Sequence, residues 1–88
     1  MMELQLIRKE QAQSPFFVGI DLGGTNIKAG VTDDRGRVLW IGQEPTLVEK
    51  GPEDGARRIA GLIHRAIREA GLQPQDIAGV GLGSPGTM

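Results

Sequence analysis

Six consecutive residues, Asp21-Leu22-Gly23-Gly24-Thr25-Asn26, combine the groups that a phosphate site needs. Two adjacent glycines let backbone N–H groups approach an anion and line a concave site for it. The carboxylate of Asp21, at the end of an apolar run, could hold Mg²⁺ directly or through water. Further donors are supplied by Thr25, Asn26 and Lys28. The same residues also suit an ordinary hairpin turn, so the local chemistry is compatible with either a phosphate site or a plain turn.

The residues around this turn predict three strands. The run Phe16–Leu22 is nearly all apolar and rich in β-forming residues, which is typical of a central strand buried on both faces. A second strand is predicted over Asn26–Thr32 and a third over Arg37–Gln43, with a turn at Asp33–Gly36 between them. Because both connections are short, the three strands should form an antiparallel meander.

A helix and a fourth strand complete the predicted order βββαβ, an α/β fold. The helix should begin at Pro52, which suits a first helical position, and end before Gly71, which can form a left-handed cap. Its apolar stripe consists of Ile59, Leu62, Ile63, Ala66, Ile67 and Ala70. The run Ile77–Gly83 predicts a buried fourth strand. A helix between strands three and four favours a crossover that makes strand four parallel to strand one.

Length and composition bound the class of protein. The 88 residues predict one domain at most, with a loose polar tail over 1–15 and a folded unit over 16–88. A net charge of −1 gives no electrostatic reason to expect nucleic acid or an acidic membrane as partner. The absence of cysteine excludes disulfides and thiolate sites within the chain and fits a reducing cytoplasm. No apolar run approaches the roughly 20 residues that span a bilayer.

Two motifs together resemble the ROK family of sugar kinases and repressors. The segment Val18–Gly30 closely resembles that family's first phosphate motif, and Val80–Gly86 is similar to its Gly-x-Gly-x-Pro-Gly stretch. The resemblance covers roughly residues 16–88 and implies part of the N-terminal lobe of a ribonuclease H-like, actin-like ATPase fold. A phosphate motif in its expected strand–turn–strand context favours the phosphate interpretation of the turn over the plain one.

The resemblance also implies an activity. The cofactors would be ATP and Mg²⁺, with Asp21 at the metal and Gly23, Gly24, Thr25, Asn26 and Lys28 at the nucleotide. The substrate would be a hexose phosphorylated at the 6-hydroxyl, with glucose favoured by its frequency in the family. Pro85 and Gly86 would either contact the sugar or form a rigid turn. The family's catalytic aspartate and, in many members, a cysteine-rich zinc site lie beyond this sequence, so no catalytic residue is assigned.

Other interpretations compete with the kinase hypothesis. The segment Gly81–Gly86 also satisfies the Gly-x-Gly-x-x-Gly pattern of dinucleotide sites, which requires a following helix and a later acidic residue. A ROK-type repressor would carry a helix-turn-helix region before the first strand, and only 15 residues precede Phe16. A non-kinase nucleotide-binding module of the same superfamily and a polyphosphate-dependent relative are further alternatives.

Two expectations concern the 88-residue chain by itself. It should be an N-terminal fragment that binds nucleotide weakly or not at all and cannot turn over, because phosphoryl transfer also needs a base and a positioned acceptor. Strand four should be an uncovered sheet edge, and one face of the sheet should lack the helices that would cover it later in the chain. Exposed apolar edges pair, so homo-oligomers, swapped segments or aggregates are expected.

Overall fold

The computed structural model describes residues 6–46 and 50–83, which form a four-stranded sheet and one long helix. The strands are β1 (Phe16–Leu22), β2 (Asn26–Thr32), β3 (Val38–Pro45) and β4 (Ile77–Gly83), and helix α1 spans Gly51–Glu69. The predicted order βββαβ is confirmed. The third strand extends to Pro45 rather than Gln43, and the helix begins one residue before Pro52.

The sheet has the order β3-β2-β1-β4. The short turns make β1, β2 and β3 an antiparallel meander, and the crossover through α1 returns the chain so that β4 lies parallel to β1. In this register Asp21 on β1 is directly opposite Lys28 on β2, and Gly19 lies between Gly30 and Gly81. The predicted fold, a meander with one crossover helix and a parallel fourth strand, is confirmed.

The core lies between α1 and one face of the sheet. In β1 the side chains of Phe16, Val18 and Ile20 are buried, whereas Phe17 and Asp21 on the opposite face are exposed. The central position predicted for β1 is confirmed, but its predicted burial on both faces is wrong within the described residues, where α1 covers one face. The remaining core residues are Ile27, Ala29, Val31, Leu39, Trp40, Leu62, Ala66, Ile67 and Leu72.

Strand β4 is more exposed than its apolar sequence predicts. Val80 and Leu82 point to the same sheet face as Val18 and Ile20, yet they are 50% and 65% exposed. The reason is that α1 packs mainly against β2 and β3. It therefore does not cover the β4 end of the same sheet face. The prediction of a buried fourth strand is wrong in the described part of the chain, and the expectation of an uncovered edge fits the exposure of these side chains.

The end of α1 is held by the predicted left-handed glycine. Gly71 has a φ of 81°, and its N–H donates to the Arg68 carbonyl at 3.1 Å. The N–H of Leu72 donates to the Ile67 carbonyl at 3.0 Å, and the Leu72 side chain is buried. These two hydrogen bonds define a Schellman cap, which satisfies carbonyl groups that a helix end otherwise leaves unpaired. No helix in the described ranges is long and apolar enough to cross a membrane.

The polar N-terminal segment contacts the sheet. The Ile7 N–H donates to the Val38 carbonyl at 2.9 Å, so residue 7 lies against the start of β3. The Asp34 N–H donates to the Gln13 carbonyl at 2.9 Å, and the Arg37 guanidinium donates to the Gln11 carbonyl at 2.9 Å. The division into a tail over 1–15 and a lobe over 16–88 stays a prediction, but residues 7–13 are docked on the β2–β3 end of the lobe.

Candidate functional site

The turn between β1 and β2 is closed by a backbone hydrogen bond. The Gly23 N–H donates to the Asn26 carbonyl at 2.9 Å. A Cβ atom added to Gly23 would lie 2.9 Å from that same carbonyl oxygen, a distance that requires the backbone to shift. Neither Gly23 nor Gly24 has a positive φ, and a Cβ on Gly24 would meet nothing within 4 Å. Glycine is therefore needed at position 23 because of the close approach of the backbone and not because of its φ angle.

The tip of the turn presents backbone donors to solvent. The N–H groups of Gly24 and Thr25 donate no hydrogen bond to any residue in the described ranges, and both residues are exposed. The Asn26 side-chain amide lies 3.5 Å from the Thr25 hydroxyl, so two further polar side chains share this tip. Clustered N–H groups without a protein partner are suited to an anion, which can accept several of them at once.

Asp21 and Lys28 stand at the base of the same turn. They form a directly opposed pair on β1 and β2, and both are exposed on the sheet face that α1 does not cover. In the part of the chain that the structure describes, no ion pair within 4.0 Å joins them. Lys28 is in turn opposite Gln43 on β3. The structure therefore brings a carboxylate, an ammonium group and the backbone donors of the turn to one corner of the sheet.

Thr46, immediately after β3, completes the turn and was not predicted from the sequence. Its hydroxyl donates to the Gly23 carbonyl at 3.1 Å, and its N–H donates to the Thr25 carbonyl at 2.9 Å. Thr46 is 23 residues from Gly23 along the chain, so only the pairing of β2 with β3 brings them together. The usable signal was that, in a meander, the end of the third strand must lie beside the start of the second.

The strongest electrostatic perturbation lies at the other end of β2. Burial alone would raise the pKa of Asp33, which is 2% exposed, but hydrogen bonds from the backbone N–H groups of Gln13, Arg37 and Arg35 and from the Arg37 guanidinium outweigh it. They lower the pKa of Asp33 from its ordinary 3.8 to about 2. The carboxylate is fully occupied by protein donors, so Asp33 is a structural group and not a candidate site.

The predicted sugar contacts, Pro85 and Gly86, lie outside the described residues. Within those residues, no cluster of three or more histidine, aspartate or glutamate side chains could hold a metal ion by itself. Mg²⁺ in phosphotransfer sites keeps several waters and is bound by one or two carboxylates together with substrate phosphates, and the assignment of Asp21 to the metal stays a prediction.

Comparison with known proteins shows which family the chain belongs to. Residues 18–87 match the BadF/BadG/BcrA/BcrD ATPase family. The chain is 39% identical over 71 residues to a glucokinase from Thermotoga maritima, a match covering 81% of this chain and 21% of the relative. It is 29% identical over 79 residues to a probable L-xylulose kinase from Haemophilus influenzae, covering 81% of this chain and 16% of the relative. The chain thus spans about a fifth of the length of these relatives.

A solved structure agrees with these sequence matches. The crystal structure of a ROK hexokinase from Thermus thermophilus superposes with a TM-score of 0.69 and 42% sequence identity, covering 83% of this chain and 24% of that one. At this identity the likeness extends beyond the fold, and it confirms the resemblance inferred from the two motifs. The chain belongs to the BadF/BadG/BcrA/BcrD ATPase family, with the partial lobe of a sugar kinase of the actin-like superfamily as its architecture.

Proposed function

We propose that the turn from Gly23 to Asn26 binds the phosphates of ATP. The observation that carries this proposal is the pair of N–H groups on Gly24 and Thr25, which donate to no described residue while the carbonyls of Gly23, Thr25 and Asn26 accept hydrogen bonds within the fold. Phosphate oxygens only accept hydrogen bonds. A turn that has N–H groups without a partner, while three of its carbonyls already accept hydrogen bonds, is therefore suited to phosphate. The side chains of Thr25 and Asn26 add donors at the same tip.

Asp21 and Lys28 would serve the same ligand. The Asp21 carboxylate would hold Mg²⁺ directly or through water, and Lys28, opposite it on β2, would reach a phosphate oxygen. When bound, the metal neutralises charge on the phosphates. The two side chains are exposed beside the turn, so ligand binding requires no rearrangement of the core. Pro85 and Gly86 remain proposed contacts to the sugar.

We assign the reaction to the whole protein and not to this chain. The proposed activity is ATP-dependent phosphorylation of a hexose, with glucose favoured by the glucokinase from Thermotoga maritima and the 6-hydroxyl as acceptor. The base that takes the hydroxyl proton is supplied from outside these 88 residues. The chain alone is therefore expected to show no turnover in a coupled assay with ATP and glucose.

A segment exchange tests the kinase assignment. In a hybrid protein, residues 16–83 would replace the matching segment of the Thermus thermophilus hexokinase. The structural match covers 24% of that hexokinase chain. We expect ATP-dependent glucose phosphorylation to persist in the hybrid and to fall by about 10²-fold or more when Asp21→Asn is introduced into it. A folded hybrid that is inactive, or one indifferent to Asp21→Asn, would contradict the assignment.

A second candidate is an ATPase without a sugar acceptor, which the family match over residues 18–87 favours. The hybrid does not fully distinguish sugar phosphorylation from ATP hydrolysis, because its sugar site comes from the hexokinase. The direct discriminator is the protein that carries this chain in full: ADP release that depends on added hexose supports the kinase, and release without hexose supports the ATPase. Inorganic tripolyphosphate in place of ATP tests the polyphosphate alternative.

The remaining proposals concern assembly and location. We propose a homo-oligomer, because Val80 and Leu82 expose apolar surface on β4, a strand without any charged residue to discourage edge pairing. Sedimentation of the 88-residue chain at rising concentration tests it, and a clean monomer throughout would contradict it. A cytoplasmic location is proposed from the absence of cysteine, which suits a reducing compartment.

A further inference from the structure

Thr46 binds the β1–β2 turn at two points from outside the turn. Its hydroxyl donates to the Gly23 carbonyl at 3.1 Å, and its N–H donates to the Thr25 carbonyl at 2.9 Å. Thr46 is partly buried, so the hydroxyl is shielded from competing water on one side. A third carbonyl of the turn, that of Asn26, already accepts from the Gly23 N–H. Thr46 therefore fixes two carbonyl groups of the turn, those of Gly23 and Thr25, which the hairpin's own closing bond does not hold.

Fixing a carbonyl also fixes the next N–H. In a planar trans peptide, the C=O of one residue and the N–H of the following residue point in opposite directions. Holding the Gly23 carbonyl toward Thr46 therefore directs the Gly24 N–H away from Thr46, and the Thr25 carbonyl does the same for the Asn26 N–H. Without these bonds, each peptide plane could rotate and present a carbonyl oxygen, which repels an anion, where a donor now stands.

We infer that Thr46 is a positioning residue of the phosphate site. It acts through the peptide groups of Gly23 and Thr25 and does not itself touch the ligand. The inference rests on the proposed function of the turn as a phosphate site. It deepens that function, because it makes the orientation of the Gly24 N–H, the donor that follows the Gly23 carbonyl, depend on a residue beyond the end of β3.

A merely structural role for Thr46 predicts something different. If the hydroxyl only joined β3 to the turn, its loss would lower stability and leave the affinity for phosphate ligands unchanged. If it orients the donors, Thr46→Val weakens ligand binding even where the protein stays folded, and Thr46→Ser, which keeps the hydroxyl and the N–H, restores binding. The Thr46→Val and Thr46→Ser variants therefore distinguish the effect of losing the hydroxyl from the effect of losing the methyl group.

The test is a titration of the intact 88-residue chain with Mg²⁺-ATP, followed by backbone amide chemical shifts. Wild type, Thr46→Val and Thr46→Ser are compared with Thr32→Val, a matched change on β2 away from the turn. We expect Thr46→Val to raise the dissociation constant by about threefold to tenfold, the loss typical of one hydrogen bond, with the other two variants close to wild type. Unchanged shifts outside the turn, including the Trp40 indole, show that each variant is folded.

The outcomes are distinct. Weaker binding in Thr46→Val with recovery in Thr46→Ser supports the inference. Wild-type affinity in a folded Thr46→Val, or equal loss in Thr46→Val and Thr46→Ser, overturns it and leaves the proposed function standing. No response of the wild-type turn amides at saturating Mg²⁺-ATP overturns the proposed function and, with it, the inference.

Discussion

The two turns that flank β2 differ in where their backbone donors go. At the start of β2, the N–H groups of Gly24 and Thr25 donate to no described residue. At its end, the Asp33 carboxylate accepts from the N–H groups of Arg35, Arg37 and Gln13 at 3.0, 2.9 and 3.1 Å. A turn that holds the fold together supplies its own acceptor, whereas a turn that binds an anion leaves its donors to solvent until the ligand arrives.

The largest expected effect comes from removing the acceptor of the second turn. Asp33→Asn replaces one carboxylate oxygen with an NH₂ group that faces donors, and it removes the partner of the Arg37 guanidinium. We expect the melting temperature to fall on the order of 10 °C. The matched control is Asp34→Asn, because Asp34 is exposed. Thermal unfolding followed by circular dichroism measures both, and equal melting of the two variants would contradict the structural role of Asp33.

A pH dependence should follow from the same carboxylate. The folded-state pKa of Asp33, about 2, is below its ordinary value, so the ionised form favours the folded protein. Its contribution is complete above about pH 4 and is lost as the pH falls toward 2. Urea unfolding at a series of pH values should therefore show stability declining through this window. The decline should be shallower in Asp33→Asn, and an identical slope in both proteins would show that other groups govern acid unfolding.

The two turns also show which features could be predicted from the sequence and which could not. The Gly23-Gly24 pair and its flanking strands were predictable because turn chemistry and hydrophobic pattern are local. Asp33 and Asp34 look alike in the sequence, and only the folded chain shows that the Asp33 carboxylate accepts from the Gln13 N–H and the Arg37 guanidinium. Thr46 was missed for a similar reason, since its bonds to the turn depend on strand pairing. The one-sided burial of β1 depends on where the helix lies, which an apolar run does not reveal.

A smaller effect separates the two glycines of the first turn. Gly23→Ala places a Cβ atom 2.9 Å from the Asn26 carbonyl oxygen, so the closing hydrogen bond must shift. We expect it to lower the free energy of unfolding by about 1–2 kcal/mol and to weaken Mg²⁺-ATP binding. Gly24→Ala, which has open space, should change stability by about 0.5 kcal/mol or less. Urea unfolding compares the pair, and equal costs would show that the close approach at Gly23 is relieved without strain.

The smallest effect on stability belongs to the charged pair at the base of the turn. Lys28→Gln and Asp21→Asn should leave the free energy of unfolding within about 0.5 kcal/mol, because both residues are exposed. Lys28→Gln should weaken Mg²⁺-ATP binding, since it removes a charge beside the phosphates. Lys50→Gln, an exposed lysine at the start of α1, is the matched control. Equal affinity in the two lysine variants would remove Lys28 from the proposed site.

The contrast between the turns is tested most directly by the amide chemical shifts of the wild-type chain during a Mg²⁺-ATP titration. We predict saturable shifts at Gly24, Thr25 and Asn26 and none at Arg35–Arg37, whose N–H groups already donate to Asp33. Binding is expected to be weak, with a dissociation constant on the order of 1 mM, because the chain spans only about a fifth of the length of the kinases it matches. Shifts centred on the β2–β3 turn, or an unresponsive β1–β2 turn at saturating ligand, would contradict the assignment of the β1–β2 turn as the phosphate-binding turn.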